Sequence, residues 1–218
     1  MLFWETGASD GLFMKTVFRR AALASIIGLA GGSAPALAEE KPSAEPLHEI
    51  TLDIDNDGKT DRAAIVRSAD GAQADLYVYL AAGDGKLDLS RKPTFLKKAI
   101  TEGSVRGLET GDGSLIVTSC YGCGARKSWD ETLTVVHRDG EFLVARYAKD
   151  WDWGNEIRKP NGEWDVDTII RGCDVDFLMG KGVVTEGLDG ESEPIEGKFE
   201  PVKLADWSDD TRPKACEP

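Results

Sequence analysis

The sequence predicts an all-β domain, mostly antiparallel, built from hairpins as a sandwich or an open barrel. Three observations lead there. Apolar and polar residues alternate at a period of two, as where Ile50, Leu52 and Ile54 interleave with Glu49, Thr51 and Asp53, the pattern of a strand with one buried face. Asp-Gly recurs at Asp57-Gly58, Asp70-Gly71, Asp84-Gly85, Asp112-Gly113, Asp139-Gly140 and Asp189-Gly190, with Asn161-Gly162 beside them. These dipeptides favour the positive φ angles of tight hairpin turns. Only Pro93 to Ile100 reads as a short helix.

The chain opens on an address. Met14-Lys15-Thr16-Val17-Phe18-Arg19-Arg20 is a basic segment, Ala21 to Ala30 an apolar one, and Ala36-Leu37-Ala38 a small-x-small cleavage site before Glu39. That order predicts a signal peptide over residues 1–38, with Met14 as the true start because Met1 to Phe13 carry two acids and do not resemble a basic leader. The apolar run is too short and too interrupted by glycine for a membrane anchor. Arg19-Arg20 leaves the general and the twin-arginine export routes both open.

Removal of residues 1–38 leaves 180 residues, enough for one domain with a sizeable core. The cut takes away two acids and three bases, moving the formal net charge from −13 to −14. A chain this acidic repels phosphate backbones and anionic lipid, so nucleic acid and membrane surfaces are poor partners, while cations and basic proteins fit. Residues 39–46 are short, polar and unpatterned and read as a flexible lead-in to a single domain over 47–218.

Next comes Asp53-Ile54-Asp55-Asn56-Asp57-Gly58-Lys59-Thr60-Asp61. Carboxylates at the first, third, fifth and ninth positions, with glycine at the sixth, suit a tight loop wrapped around a hard cation, and Ca²⁺ is the expected ion. Asp53, Asp55, Asp57 and Asp61 would supply side-chain oxygens and Lys59 its backbone carbonyl, with Gly58 permitting the turn. An EF-hand would close with Glu at position twelve, where this chain has Ala64. The spacing D-x-D-x-D-G-x-x-D followed by Ala63-Ala64-Ile65-Val66 resembles the integrin-type FG-GAP repeat family, whose calcium loop lies between strands. The resemblance runs about 30 residues, to the Ala82-Gly83-Asp84-Gly85 turn, and in one copy only, so it implies a calcium loop and no multi-bladed propeller.

Further strands are expected at Leu76 to Leu80, Leu115 to Thr118, Thr132 to His137, Glu141 to Tyr147, Asp167 to Ile170, Val175 to Leu178, Val183 to Thr185 and Lys198 to Val202. The clearest hairpin joins Thr132–Arg138 to Glu141–Tyr147 across Asp139-Gly140.

Four cysteines in an exported chain make disulfides the default, with three possible pairings. Joining Cys173 to Cys216 would tie down a tail, Asp206 to Pro218, that has little core of its own. Cys120-Tyr121-Gly122-Cys123 would then close a local bridge. Its C-x-x-C spacing is also that of thiol-disulfide oxidoreductases and of half a zinc site, but a strand pattern follows it, and no second C-x-x-C exists. The chain has only two histidines, His48 and His137, and contains neither H-E-x-x-H nor G-x-S-x-G.

Trp151-Asp152-Trp153, if extended, places both indoles on one face and Asp150 and Asp152 on the other. Such a face serves either as core or as a surface for a sugar or protein partner. Trp129, Trp164 and Trp207 read as packing residues. The stretch Gly122 to Tyr147, with Arg126-Lys127-Ser128-Trp129, a Thr-Leu-rich strand, Asp139-Gly140 and Glu141-Phe142-Leu143-Val144, is similar to a pattern in small periplasmic β proteins that inhibit lysozyme-like cell-wall hydrolases. The expected function is binding of a protein or cell-wall glycan by an exported, calcium-binding, non-enzymatic domain. The alternatives are an inhibitor of a peptidoglycan hydrolase and a thiol-disulfide enzyme using Cys120 and Cys123.

Overall fold

The computed structural model describes residues 45–69, 71, 73–81, 91–187 and 190–217. The expected signal peptide, its start at Met14, the Ala82–Gly85 turn and Asp189 of the last Asp-Gly pair lie outside the described residues. Two antiparallel sheets form an open sandwich, and neither closes into a barrel.

The smaller sheet runs in sequence order through β1 (His48–Leu52), β2 (Asp61–Arg67), β3 (Ala74–Tyr79) and β4 (Phe95–Thr101). The larger contains β5 (Ser104–Gly111), β6 (Ser114–Tyr121), β7 (Lys127–Arg138), β8 (Glu141–Arg158), β9 (Trp164–Asp176), β10 (Lys181–Glu186) and β11 (Ser192–Pro194), each beside its neighbour in sequence. The short β12 (Val202–Lys203) pairs with Leu143 and Val144 of β8, in the space that β9 leaves free.

The expected Asp-Gly hairpins form where both turn residues reach positive φ. Arg138 pairs with Glu141 across Asp139 (φ 52°) and Gly140 (φ 80°), and Gly111 with Ser114 across Asp112 (φ 51°) and Gly113 (φ 73°). This is the left-handed geometry that matches the twist of the flanking strands.

Between the sheets, Ile65, Leu76 and Val78 of the smaller one pack with Leu115, Val117, Leu133, Val135, Tyr147 and Val175 of the larger, all buried. Leu204 and Trp207 of the tail join this core, with Trp207 against Tyr147 and Phe177. Burial of this set of apolar side chains at about 25 cal/mol per Å² is the main source of stability.

The structure replaces the expected helix at Pro93 to Ile100 with β4. Its apolar residues, Phe95, Leu96, Ala99 and Ile100, have helix-like spacing only because the strand bulges. Leu76 pairs with Lys97, but Ala74 pairs with Thr101, and the extra residues are absorbed at Ala99 (φ 51°), whose N–H reaches Asp75 Oδ1 at 3.0 Å. A bulge breaks the period of two and imitates a helical one. The pieces expected at Asp167–Ile170 and Val175–Leu178 fall on the single strand β9, with Phe177 and Leu178 in the turn beyond it. The strand expected over Lys198–Val202 is reduced to β12.

Candidate functional site

The Asp-rich loop leads from β1 into β2. Asn56 (φ 61°) and Gly58 (φ 83°) take left-handed conformations, folding the loop onto its own carboxylates. Asp53 Oδ1 and Oδ2 accept the Asp57 and Gly58 N–H groups at 3.0 and 2.9 Å. Asp61 is buried at the first position of β2, where its two oxygens accept the N–H groups of Ile54 at 2.9 Å and Ala81 at 2.7 Å. As a result one carboxylate oxygen each from Asp53, Asp55 and Asp61 lies within 4.8 Å of the others. Each oxygen has a second lone pair available to a ligand. An all-oxygen set of three acidic groups fits a hard divalent cation better than zinc or copper, which take nitrogen and sulfur.

Asp57 stands apart from this cluster. Its carboxylate closes on the Lys59 ammonium and accepts the Lys59 N–H at 2.9 Å, so the Lys59 hydrogen bond holds Asp57 below the usual carboxylate range, and the Asp57 hydrogen bond raises Lys59. The loop therefore converges three of the four expected carboxylates.

The second feature lies on the core-facing side of the larger sheet. Alternation in β7 and β8 puts Trp129, Glu131 and Leu133, and Tyr147, Lys149, Trp151 and Trp153, on that side. Near Leu133 and Tyr147 it is hydrophobic core. Farther along, Tyr121, Trp129, Trp151 and Trp153 form a row with successive ring centroids 6.0, 6.3 and 6.1 Å apart. Trp129 and Trp151 are nearly covered, Trp153 is half-buried, and Tyr121 is 61% exposed. Two depressions of about 520 Å³ each share Trp151 and Trp153. One is lined also by Arg171, Glu186 and Thr168, the other by Tyr121, Lys127 and Ser128.

Between core and aromatic row lies a buried ionic cluster that the sequence reading missed. Lys149 Nζ sits 3.4 Å from Glu102 and 3.6 Å from Glu131, and 4.2 and 4.6 Å from the ring centroids of Trp129 and Trp151. Arg212 from the tail bonds Glu102, lies 3.8 Å from Glu131 and meets Asp209 at 3.0 Å. Tyr147 Oη donates to Glu131 Oε2 at 2.9 Å. Burial and the Glu131 charge keep the Tyr147 phenol protonated far above its normal range. Burial works to raise Glu102, but the Arg212 hydrogen bond and charge outweigh it and hold that carboxyl low. The inward phase shared by Glu131 with Trp129 and Leu133 was the available signal for this cluster.

Cys120 is bonded to Cys123, and Cys173 to Cys216. Disulfides persist in oxidising compartments, in keeping with an extracellular or periplasmic setting. Cys120 is buried at the end of β6, and Gly122 (φ 59°) turns the loop so tightly that a Cβ there would lie 2.3 Å from the Lys127 carbonyl oxygen. Among the described residues, no helix N-terminus adjoins Cys120 to lower a thiol pKa. Among the described residues, no helix is long and apolar enough to cross a membrane.

No known family model, curated protein or solved structure matches this chain. The functional reading accordingly rests on the geometry of the loop and the aromatic row. Trp207 packs in the core as expected, whereas Trp164 does not: at the tip of the β8–β9 hairpin it is 70% exposed, with the Arg158 guanidinium 5.9 Å from its ring centroid. This hairpin tip extends past the start of β7, so among the described residues β7 does not flank it and the indole is left largely open.

Proposed function

We propose that this protein is an exported, calcium-binding β domain that acts by holding a macromolecular partner rather than by catalysis. The observation that carries the reading is the aromatic row Tyr121, Trp129, Trp151 and Trp153, which continues the core-facing side of the larger sheet into open depressions. Large aromatic side chains left at a surface, with polar groups around them, are the usual anchors of a binding face.

Calcium has a structural role in this reading. Asp53, Asp55 and Asp61 would hold it and so tie β1 to β2, with Asp61 joining the loop to the end of β3 through Ala81. A loop that surrounds the ion with protein oxygens leaves few positions for substrate. The lack of a complete catalytic motif and the two disulfides support a binding role outside the cell interior.

The test is retention of a macromolecule from an envelope or secreted fraction by the immobilised chain in calcium. Trp153→Ala and Tyr121→Ala should abolish retention and leave the melting temperature within a few degrees of the parent. Retention unchanged in both variants would refute the assignment of this face.

A further inference from the structure

We propose that the trough along Tyr121, Trp129, Trp151 and Trp153 binds a linear chain of uncharged pyranose rings. The proposal rests on the reading of this face as the binding surface and names the class of ligand it takes.

Shape gives the first argument. Each depression has the volume of a small-molecule site, and the two border each other at Trp151 and Trp153, so side by side they offer more room than one small ligand needs. Tyr121 and Trp153, the more exposed rings, stand at opposite ends of the row. The negatively charged face of an aromatic ring attracts the polarised C–H groups on the flat side of a sugar. Lys127, Ser128, Thr168, Arg171 and Glu186 around the rings supply donors and acceptors for the hydroxyls at the sugar's rim.

Charge gives the second. Lys149 is balanced in place by Glu102 and Glu131, and Arg171 by the carbonyls of Ala215 and Glu217, with Glu186 at 3.9 Å. Lys127, 5.2 Å from the Trp153 ring centroid, is the one cation of the trough without an ion pair among the described residues. A basic protein would meet the unpaired Lys127 here and one lining acid, Glu186, while Asp130, Asp150, Asp152 and Asp174 lie on the opposite side of the sheet. A polyanion would approach against a net charge of −13. A neutral ligand meets neither obstacle.

Topology gives the third. An extended peptide usually binds by adding a strand to a sheet edge, where its amides find partners. The row lies on β6, β7 and β8, which are paired on both sides, so a peptide backbone crossing it would find no such ladder. A glycan needs none.

The experiment titrates the intact chain in calcium with cellohexaose and chitohexaose, with cellobiose and chitobiose as short controls and polygalacturonate as the anionic control, following tryptophan fluorescence and heat. At least one hexasaccharide should bind saturably and at least tenfold more tightly than its disaccharide. Trp153→Ala and Tyr121→Ala should each weaken it tenfold or more, with thermal unfolding preserved. Binding of polygalacturonate alone, or equal affinity for short and long chains, would overturn the proposal. If neither hexasaccharide binds while Trp153-dependent retention of a macromolecule persists, the sugar assignment fails and the binding face stands. If Trp153→Ala changes neither measurement, both fail.

Discussion

Glu131→Gln tests the ionic cluster behind the aromatic row. Glu131 is 3% exposed, yet it accepts the Tyr147 hydroxyl and faces both Lys149 and Arg212. The amide keeps the shape and an acceptor for Tyr147, so the change isolates the charge. Lys149, itself 5% exposed, would be left with Glu102 as its ionic partner, and Arg212 with Glu102 and Asp209. Removing one member of a buried pair costs about 3–5 kcal/mol because the remaining charge stays desolvated. Retention of Glu102 on both cations places the expectation at the low end, about 3 kcal/mol. For a domain of this size that is a fall of roughly 6–12 °C in melting temperature. Urea unfolding of the oxidised protein measures it through the midpoint, with the slope unchanged. Since Lys149 also lies against Trp129 and Trp151, their fluorescence should shift before global unfolding. A loss below about 1 kcal/mol, the value of an exposed pair, would refute the claim that this cluster is desolvated and integral to the fold.

Calcium should stabilise the fold by mass action, by about 2.7 kcal/mol at a hundredfold excess over Kd, and so raise the melting temperature. Asp55→Ala should remove this effect, Asp57→Ala should only reduce it, and calorimetry showing no heat of calcium binding to the intact domain would exclude the ion. Trp151→Ala should cost about 3–5 kcal/mol in chemical denaturation, as for a buried aromatic, whereas Trp153→Ala should cost far less. Non-reducing peptide mapping should recover Cys120 with Cys123 and Cys173 with Cys216. Replacing the latter pair by serine should cost about 2–5 kcal/mol, and any crossed pair would contradict the structure. Glu102 has a folded-state pKa below its unfolded value, so its stabilisation is complete above about pH 4.5 and is lost as pH falls through the folded value. Asp209, raised first by its hydrogen bond to Glu102, has the opposite sign and loses its contribution as pH rises through its folded value. Glu102→Gln should therefore flatten the acid limb of the stability profile, as followed by thermal melts between pH 3 and pH 6.

What the sequence determined by itself was local. Period-two alternation marked the strands, because a residue on a pleated backbone faces one side or the other without reference to the rest of the chain. Asp139-Gly140 and Asp112-Gly113 marked hairpins, because the φ angles such turns need are intrinsic to those residues. The Asp-rich loop was equally legible, since its carboxylates and its glycine lie within nine consecutive residues. The tertiary structure decided whatever depends on distant partners. Asp75 and the bulge at Ala99 made β4 a strand where the spacing read as helix. Ala81 brought an N–H to Asp61 from 20 residues away. Glu102, Glu131, Lys149 and Arg212 meet only after four separate segments pack, and apart from the inward phase of Glu131 each alone reads as a surface charge. Trp151, Trp153 and Trp164 are alike in sequence, yet one is buried, one half-buried and one exposed. The exposure of an indole depends on how far the facing layer extends over it, and that length is a property of the assembled sheets.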